Sequence, residues 1–298
     1  MKVKGYIFGL ISSISYGLIP LFVLPIKQIQ FAIDTTLFYR FLFAALILAI
    51  YLILTKKSFS IAPKQIGTLA VLGLFYGVSS DALFLAYDYL NAGVASTLLF
   101  IYPLIVAVIM ATFFKEKLSF ATAFAILFTI IGVLLLSMQN GTFSINFIGL
   151  TIIFISALCY ALYIITVSKS NVNTLSGLQL TFYSFVFTTL YYGIKIILDL
   201  EIGFSIPSFK IGINLALFAL VTTVISSLAL VFAIKYIGST ATSILGAFEP
   251  VVAVAVSVLL FNEYFSLNLA LGILAIITGV TLNIISDAYK NRKKKLPK

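Results

Sequence analysis

Two carboxylates lie inside long apolar segments, where a charged group is costly and therefore informative. The stretch "GAFEPVVAVAVSVLLFNEYFS", residues 246–266, places Glu249 directly before Pro250, and "GVSSDALFLAYDY" contains Asp81. A carboxylate deep in a bilayer costs about 2.5 kcal/mol or more on insertion scales. Each acid is therefore expected to face the interior of a helix bundle, to be paired, or to be protonated.

Three roles are open for Glu249. It could attract a substrate ammonium group, carry a coupling proton, or bond a free backbone carbonyl as a neutral acid. Pro250 cannot donate the backbone bond that the Gly246 carbonyl would receive, so a kink is expected there. Pro103 predicts a second kink in an earlier segment, and we predict that Pro103 and Pro250 act as hinges. The alternative is purely structural, because neighbouring helices can satisfy the groups that a proline frees.

Other side chains could line a binding cavity between apolar helices. Arg40, in "DTTLFYRF", either extends to lipid headgroups or holds a substrate carboxylate, whereas Lys195 is expected to extend to headgroups. Tyrosines supply aromatic walls with hydroxyl tips, with simple packing as the alternative for each, and serines can bond their own helix. The predicted substrate-binding or coupling residues are Asp81, Glu249, Tyr16, Tyr160, Ser79, Ser80, Ser226, Ser227, Tyr102, Tyr39, Arg40 and Tyr183.

The residues that are missing exclude several kinds of chemistry. The chain has no histidine, which excludes a histidine metal site, a histidine-based catalytic triad and a histidine proton relay. It has no G-x-x-x-x-G-K-[ST] motif, which excludes ATP hydrolysis through a P-loop. One cysteine, Cys159, cannot form an intramolecular disulfide. We therefore predict no metal, no cofactor and no enzymatic activity.

The elements that position these residues are membrane helices. Of the 298 residues, 62% are hydrophobic and only 9% charged, with a mean hydropathy of +1.18, whereas soluble domains carry about 25% charged residues. About 20 apolar residues cross a bilayer as a helix. The sequence predicts ten such helices, at 5–24, 37–54, 66–87, 94–114, 119–137, 146–167, 177–198, 211–234, 242–261 and 266–286.

Basic residues predict the orientation of this bundle. If the first helix starts in the cytoplasm, 15 of the 19 basic residues fall on the cytoplasmic side. Both termini are then cytoplasmic, and the protein is a multi-pass protein of the cytoplasmic (inner) membrane. The basic tail at 290–298 faces anionic lipid, which accounts for the net charge of +10 without a nucleic-acid partner.

The sequence also contains an internal duplication. With a shift of 147, "YLNAGVASTLLFIYPLIVAVIMATFFKEKLS" from Tyr89 aligns without a gap on "YIGSTATSILGAFEPVVAVAVSVLLFNEYFS" from Tyr236, and a shift of 144 pairs Tyr16 with Tyr160. Five helices per copy means that the second copy enters the membrane from the opposite side. We predict two inverted five-helix repeats, at 1–140 and 141–289, around a central cavity near the bilayer midplane.

The paired segments, each followed by an apolar helix, resemble the two EamA-type repeats of the drug/metabolite transporter superfamily, and the resemblance covers nearly all of the chain. It implies ten helices, cytoplasmic ends, and export of a small metabolite by alternating access, with an amino acid as one candidate. The expected partners are a small-molecule substrate and the lipid bilayer, and a monomer is expected. The alternatives are a membrane-embedded receptor or assembly partner that binds without transporting, and an intramembrane enzyme that acts on lipids.

Overall fold

The computed structural model describes residues 2–90, 95, 98–115, 120–137, 146–199, 203–246, 248–261, 267–268, 270–279 and 281–282, and within them all regular structure is helical. The basic tail at 290–298 lies outside the described residues. The α-helices are α1 (Lys2–Gly17), α2 (Ile19–Gln28), α3 (Ile33–Leu54), α4 (Pro63–Ala86), α5 (Tyr102–Thr112), α6 (Phe120–Ser137), α7 (Phe147–Lys169), α8 (Gly177–Leu198), α9 (Phe209–Phe218), α10 (Ser226–Ile237), α11 (Ser239–Leu245), α12 (Phe248–Phe261) and α13 (Ala270–Gly279). A 3₁₀ turn spans Asn171–Thr174, and a π-helical stretch, Ala219–Ile225, joins α9 to α10.

Seven helices among the described residues are long and apolar enough to cross a bilayer. They are Lys2–Val23, Ile33–Leu54, Pro63–Ala86, Phe147–Lys169, Gly177–Leu198, Phe209–Ile237 and Ser239–Leu260. Three shorter apolar helices, Tyr102–Thr112, Ala123–Gly132 and Ala270–Gly279, lie in the other three predicted spans. The prediction of an all-helical, ten-helix membrane protein is therefore confirmed. The second span begins at Ile33 rather than 37, because Asp34 joins the first turn of α3, where the helix dipole favours an acid.

The helices of the two repeats interleave, so that the main helix–helix contacts join one repeat to the other. Helix α1 packs along α10, α7 packs along α4, and α3 packs along α8. These pairings are related by the repeat, because the first helix of each half lies against the third helix of the other half. The second helices of the two halves lie against each other.

Small residues at matching positions allow these close approaches. A Cβ atom added at Gly5 would lie 2.6 Å from Cγ2 of Ile237 and 2.7 Å from Cβ of Tyr236. One added at Gly149 would lie 2.6 Å from Cγ of Leu90. In each case the beginning of one helix meets the end of its partner, so the paired helices are antiparallel, as an inverted repeat requires.

Duplicated serines join the halves at the same interfaces. The hydroxyl of Ser156 donates to the backbone carbonyl of Ser79 at 2.7 Å, and the two side-chain oxygens lie 3.3 Å apart. In the related interface, the hydroxyls of Ser12 and Ser226 lie 3.5 Å apart. Ser227 bonds the hydroxyl of Tyr76 at 3.0 Å. These serines bond across helix pairs, where interhelical hydrogen bonds replace the missing hydrophobic drive within a membrane.

The contact between α4 and α8 gives a matched test of this packing. A Cβ at Gly73 would lie 2.4 Å from Cβ of Phe187 and 2.9 Å from the backbone nitrogen of Thr188, which cannot move without shifting α8. We expect Gly73→Ala to lower the free energy of unfolding by about 1–3 kcal/mol. Gly67 lies on the same helix with nothing within 4 Å of its added Cβ. Gly67→Ala should therefore be neutral or slightly stabilising in thermal unfolding of the purified protein, and equal losses in both variants would contradict this explanation.

Polar ties hold both ends of the α3–α8 pair. At the end that carries Lys2, called the Lys2 end, Gln179 Nε2 donates to the carbonyl of Ser58 at 2.8 Å, and the Tyr183 hydroxyl donates to the carbonyl of Phe59 at 2.6 Å. At the opposite end, where α3 begins and which is called the Asp34 end, the Tyr39 hydroxyl donates to the carbonyl of Phe204. Tyr39 and Tyr183 therefore bond the connections between helices at the two ends.

Candidate functional site

A break in the ninth span positions Glu249 and Pro250. Helix α11 ends at Leu245 and α12 begins at Phe248, so both residues lie in the first turn of a new helix inside the membrane. Pro is tolerated there because the N–H groups of a helix's first turn have no carbonyl acceptor within the helix, so the missing N–H of proline loses no helical hydrogen bond. The Gly246 carbonyl accepts instead from the backbone N–H of Glu249 at 2.8 Å. A helix N-terminus also favours a negative charge, which partly offsets the cost of burying this carboxylate.

The same break recurs in the first repeat. Helix α5 begins at Tyr102, immediately before Pro103, after a turn in which the N–H of Ile101 donates to the carbonyl of Leu98 at 3.1 Å. Tyr102 occupies the repeat position of Glu249. The two prolines therefore stand at related interruptions of two membrane helices.

A cleft lies beside Glu249 in the half of the bundle nearer the Asp34 end. Its floor and walls come from the late turns of the first, third and ninth spans and from the beginning of the fourth. The lining residues are Tyr16, Gly17, Ile19, Pro20, Leu83, Tyr87, Leu99, Phe100, Glu249, Pro250 and Ala253. The lining is almost wholly apolar and aromatic, with one carboxyl group, which is the usual character of a small-molecule site.

Glu249 is buried and has no partner in the described part of the chain. Its side chain is 5% exposed, and no Lys or Arg among the described residues lies within 4.0 Å of its carboxylate. A charge this deep without a counter-ion is unfavourable unless a ligand supplies one. The carboxyl group of Glu249 is therefore suited to bind a cationic group that enters the cleft.

The repeat-related region on the other side of the bundle is filled. Tyr102 is 1% exposed, and its hydroxyl donates to the carbonyl of Ser243 at 3.2 Å, directly over Gly246. Val106 and Ile164, which correspond to Ala253 and Pro20 of the cleft, are both fully buried. The two halves therefore pack unequally: a cleft is present towards the Asp34 end and a closed core towards the Lys2 end.

Tyrosines from both repeats meet behind the cleft. The rings of Tyr16 and Tyr160 stack with centroids 6.2 Å apart, and Tyr102 meets Tyr160 edge to face at 4.8 Å. Tyr76 lies 6.4 Å from Tyr160. The predicted pair Tyr16 and Tyr160 is thus brought together with Tyr102 between the halves, and of these three only Tyr16 lines the cleft.

Arg40 does not extend to lipid headgroups as one interpretation of the sequence expected. It is 1% exposed, and its Nε donates to the hydroxyl oxygen of Thr223 at 2.6 Å. Thr223 lies in the π-helical stretch Ala219–Ile225, a feature that was not predicted from the sequence. Such stretches are often found at functional sites. Their sequence signal is weak: the predicted span 211–234 has an ordinary length, and the observed helix Phe209–Ile237 is longer, at 29 residues.

Asp81 lies apart from the cleft, in an ion-pair cluster at the Asp34 end. Lys195 Nζ lies 2.8 Å from Asp34 Oδ1 and 2.8 Å from Asp81 Oδ2, and the Tyr191 hydroxyl donates to Asp81 at 3.2 Å. Lys195 therefore joins α3, α4 and α8 rather than extending to headgroups. Ser79, Ser80, Ser226 and Ser227 are buried between helices, and Tyr39 and Tyr183 lie at the ends, so none of these residues lines the cleft.

The ion-pair cluster predicts measurable coupling between α4 and α8. Lys195→Met leaves two carboxylates unpaired, and Asp81→Asn removes one of them. Because the pair is partly exposed, we expect a coupling free energy of about 0.5–1 kcal/mol in a double-mutant cycle of thermal stability. The coupling should shrink in high salt. Additive effects of the two substitutions would show that the pair contributes nothing.

Comparisons with known proteins agree with this architecture. The model of the EamA-like transporter family matches residues 3–138 and 147–285. An "Uncharacterized transporter" of Clostridium kluyveri is 26% identical over 309 residues, covering 98% of this chain and 97% of that protein. An "Uncharacterized transporter" of Archaeoglobus fulgidus is 28% identical over 172 residues, covering 57% of this chain and 56% of that protein.

A solved crystal structure also has this fold. It superposes with a TM-score of 0.81, covers 99% of this chain and 100% of the solved chain, and is 14% identical in sequence. Two family matches, one on each repeat, confirm the resemblance seen in the paired segments. The chain therefore belongs to the EamA-like transporter family of the drug/metabolite transporter superfamily: it is a multi-pass membrane protein that carries out secondary transport of small molecules and is not an enzyme.

Proposed function

We propose that this protein exports a small polar or amphipathic metabolite, with amino acids as the first candidates, by alternating access through the cleft beside Glu249. The observation that carries the proposal is the unequal packing of two related halves. One related region is an open cleft, and the other is a closed core in which Tyr102 covers Gly246. A carrier needs two such arrangements that interchange, so that one site faces each side of the membrane in turn.

The interchange uses the two helix breaks. Opening the Lys2 end requires the Tyr102 side chain to move away from Gly246, while the residues around Glu249 pack against one another. The interruptions before Pro103 and Pro250 allow parts of two helices to turn without breaking long runs of backbone hydrogen bonds. In this proposal the substrate binds between Tyr16 and Glu249, and the tyrosines between the halves form the floor that both arrangements share.

The distribution of basic residues supports the direction of opening. With both termini in the cytoplasm, the Lys2 end is cytoplasmic and the Asp34 end faces the outside. The cleft then opens towards the outside, and the structure corresponds to the outward-facing arrangement of the cycle. The resemblance to EamA-type exporters supports export as the net direction.

Counterflow in proteoliposomes tests the proposal. Vesicles that contain the purified protein are loaded with one unlabelled amino acid from a panel of twenty, and entry of the same labelled amino acid is measured. We expect at least one member to enter faster than into protein-free vesicles, and this entry to fall when Glu249 is replaced by Gln. Specific binding without counterflow would favour a receptor instead, and no faster entry for any member would reject amino acids as the substrate class.

A further inference from the structure

Arg40 carries a buried positive charge with no counter-ion in the described part of the chain. Its side chain is 1% exposed, and its only hydrogen bond to a described residue is from Nε to Thr223 at 2.6 Å. Its Nη2 is buried and donates to no acceptor among the described residues. A guanidinium in this position is strongly unfavourable unless something else pairs with it.

The surroundings of Arg40 hold the guanidinium in place but leave part of it unsatisfied. Its Cζ lies 4.5 Å from the ring centroid of Phe218, 5.4 Å from that of Phe41 and 5.8 Å from that of Tyr16. Aromatic faces attract a cation, yet they offer no acceptor in the plane of its N–H groups. A carboxylate or a similar planar anion matches that unused edge, because guanidinium donors bind two oxygens in parallel.

Tyr16 connects this charge with the cleft. Its ring centroid lies 5.8 Å from Arg40 Cζ, and Tyr16 lines the same cleft as Glu249, which also has no partner among the described residues. Tyr16 is therefore close to Arg40 and lines the cleft of Glu249, and these two opposite charges do not pair with each other within 4.0 Å. An isolated pair of this kind is unlike the Lys195 cluster, in which each charge has a partner.

We infer that Arg40 binds the anionic group of a zwitterionic substrate whose ammonium group binds Glu249, and that the Tyr16 side chain turns aside to admit it. The inference rests on the proposed function, which identifies the cleft as the transport site. A zwitterion pairs both buried charges and leaves the net charge of the bundle unchanged. A simple cation or a simple anion pairs one charge and leaves the other unpaired, so the site discriminates against both.

Matched probes test this inference. Leucine, leucinamide and 4-methylpentanoate share one side chain and differ in which charged group they carry, and phenylalanine, phenylalaninamide and 3-phenylpropionate form a second set. We expect the wild-type protein to bind leucine or phenylalanine more tightly than the other two members of its set, as measured by ligand-induced thermal shift. Arg40→Gln should weaken binding of that amino acid roughly tenfold to a hundredfold and leave its amide unchanged.

The reciprocal variant and the controls separate binding from folding. Glu249→Gln should weaken the binding of the amino acid and of its amide, and should leave the binding of the deaminated acid unchanged. Arg40→Lys keeps the charge and should retain part of the affinity for the amino acid. Asp88→Asn, which changes an exposed acid, should not alter the affinity for any of the probes. Equal weakening of amino acid and amide by Arg40→Gln would show that Arg40 has only a structural role and would overturn the inference. So would failure of both amino acids to bind the wild-type protein.

Failure of the proposed function would look different. If the wild-type protein binds the probes with the expected pattern but catalyses no counterflow, the zwitterion site stands and the carrier proposal falls. If counterflow is found but does not depend on Arg40, the carrier proposal stands and this inference falls.

Discussion

Gly246→Ala is expected to disrupt the closed core at the Lys2 end. The added methyl group would lie 1.6 Å from the Tyr102 hydroxyl oxygen and 3.0 Å from the carbonyl oxygen of Ser243, so Tyr102 cannot keep its present position. Overpacking of this kind costs about 1–3 kcal/mol and occasionally more. We expect a clear loss of thermal stability in the form with the closed core and a shift of the population towards arrangements in which Tyr102 has moved.

A cysteine reporter measures that shift. Val106, four residues after Tyr102 in α5, is fully buried. In a Cys159→Ala background, Val106→Cys should react slowly with a small maleimide, and adding Gly246→Ala should make it react faster. Tyr102→Leu should restore stability to the Gly246→Ala variant because it removes the clashing hydroxyl and ring. An unreactive reporter together with unchanged stability would show that Tyr102 does not seat on Gly246.

Glu249→Gln should change stability and transport in opposite directions. A carboxylate at 5% exposure, with no partner in the part of the chain that the structure describes, costs about 2.5 kcal/mol or more, offset only in part by the helix N-terminus, which contributes about 0.3–1 kcal/mol. A neutral amide avoids most of this cost, so we expect the ligand-free variant to be more stable by about 1 kcal/mol. Transport should fall at least tenfold, which corresponds to the loss of about 1.4 kcal/mol of binding free energy.

Asp88→Asn is the matched control for Glu249→Gln. It makes the same chemical change at an exposed position, where neither stability nor transport should respond. A Glu249→Gln variant that is less stable than wild type and still transports normally would assign Glu249 a structural role. A binding-site residue often lowers the stability of the ligand-free protein while it supports function. The opposite changes expected for Glu249→Gln are of this kind.

The sequence predicted the architecture well because its signals are long-range and redundant. Apolar length identifies each membrane helix separately, and a gapless duplication with an odd number of helices leaves only an inverted arrangement. Glu249 and Tyr16 were singled out because a buried acid and a duplicated tyrosine are rare enough to be noticed, and the structure places both in the lining of one cleft.

The rest of the candidate site depends on contacts that no local pattern encodes. Lys195 and Asp81 are 114 residues apart and were interpreted separately, so their ion pair was missed. One interpretation of Arg40 had it extend to lipid headgroups because it stands close to the start of a helix, but the π-helical stretch and Phe218 lie against it. The serines were interpreted as a cavity wall. Their hydrogen-bond partners lie in the other repeat and cannot be identified without knowing which helices pack against each other.

The packing of each repeat's helices against the other repeat also constrains how the protein is made. The face of α1 that carries Gly5 has its partner in α10, and the face of α4 that ends near Leu90 has its partner in α7. During synthesis, the helices of the amino-terminal half enter the bilayer before either partner exists. Lipid must therefore cover those faces until the later helices insert and displace it. The nascent amino-terminal half is thus expected to bind chaperones that shield incompletely assembled membrane helices.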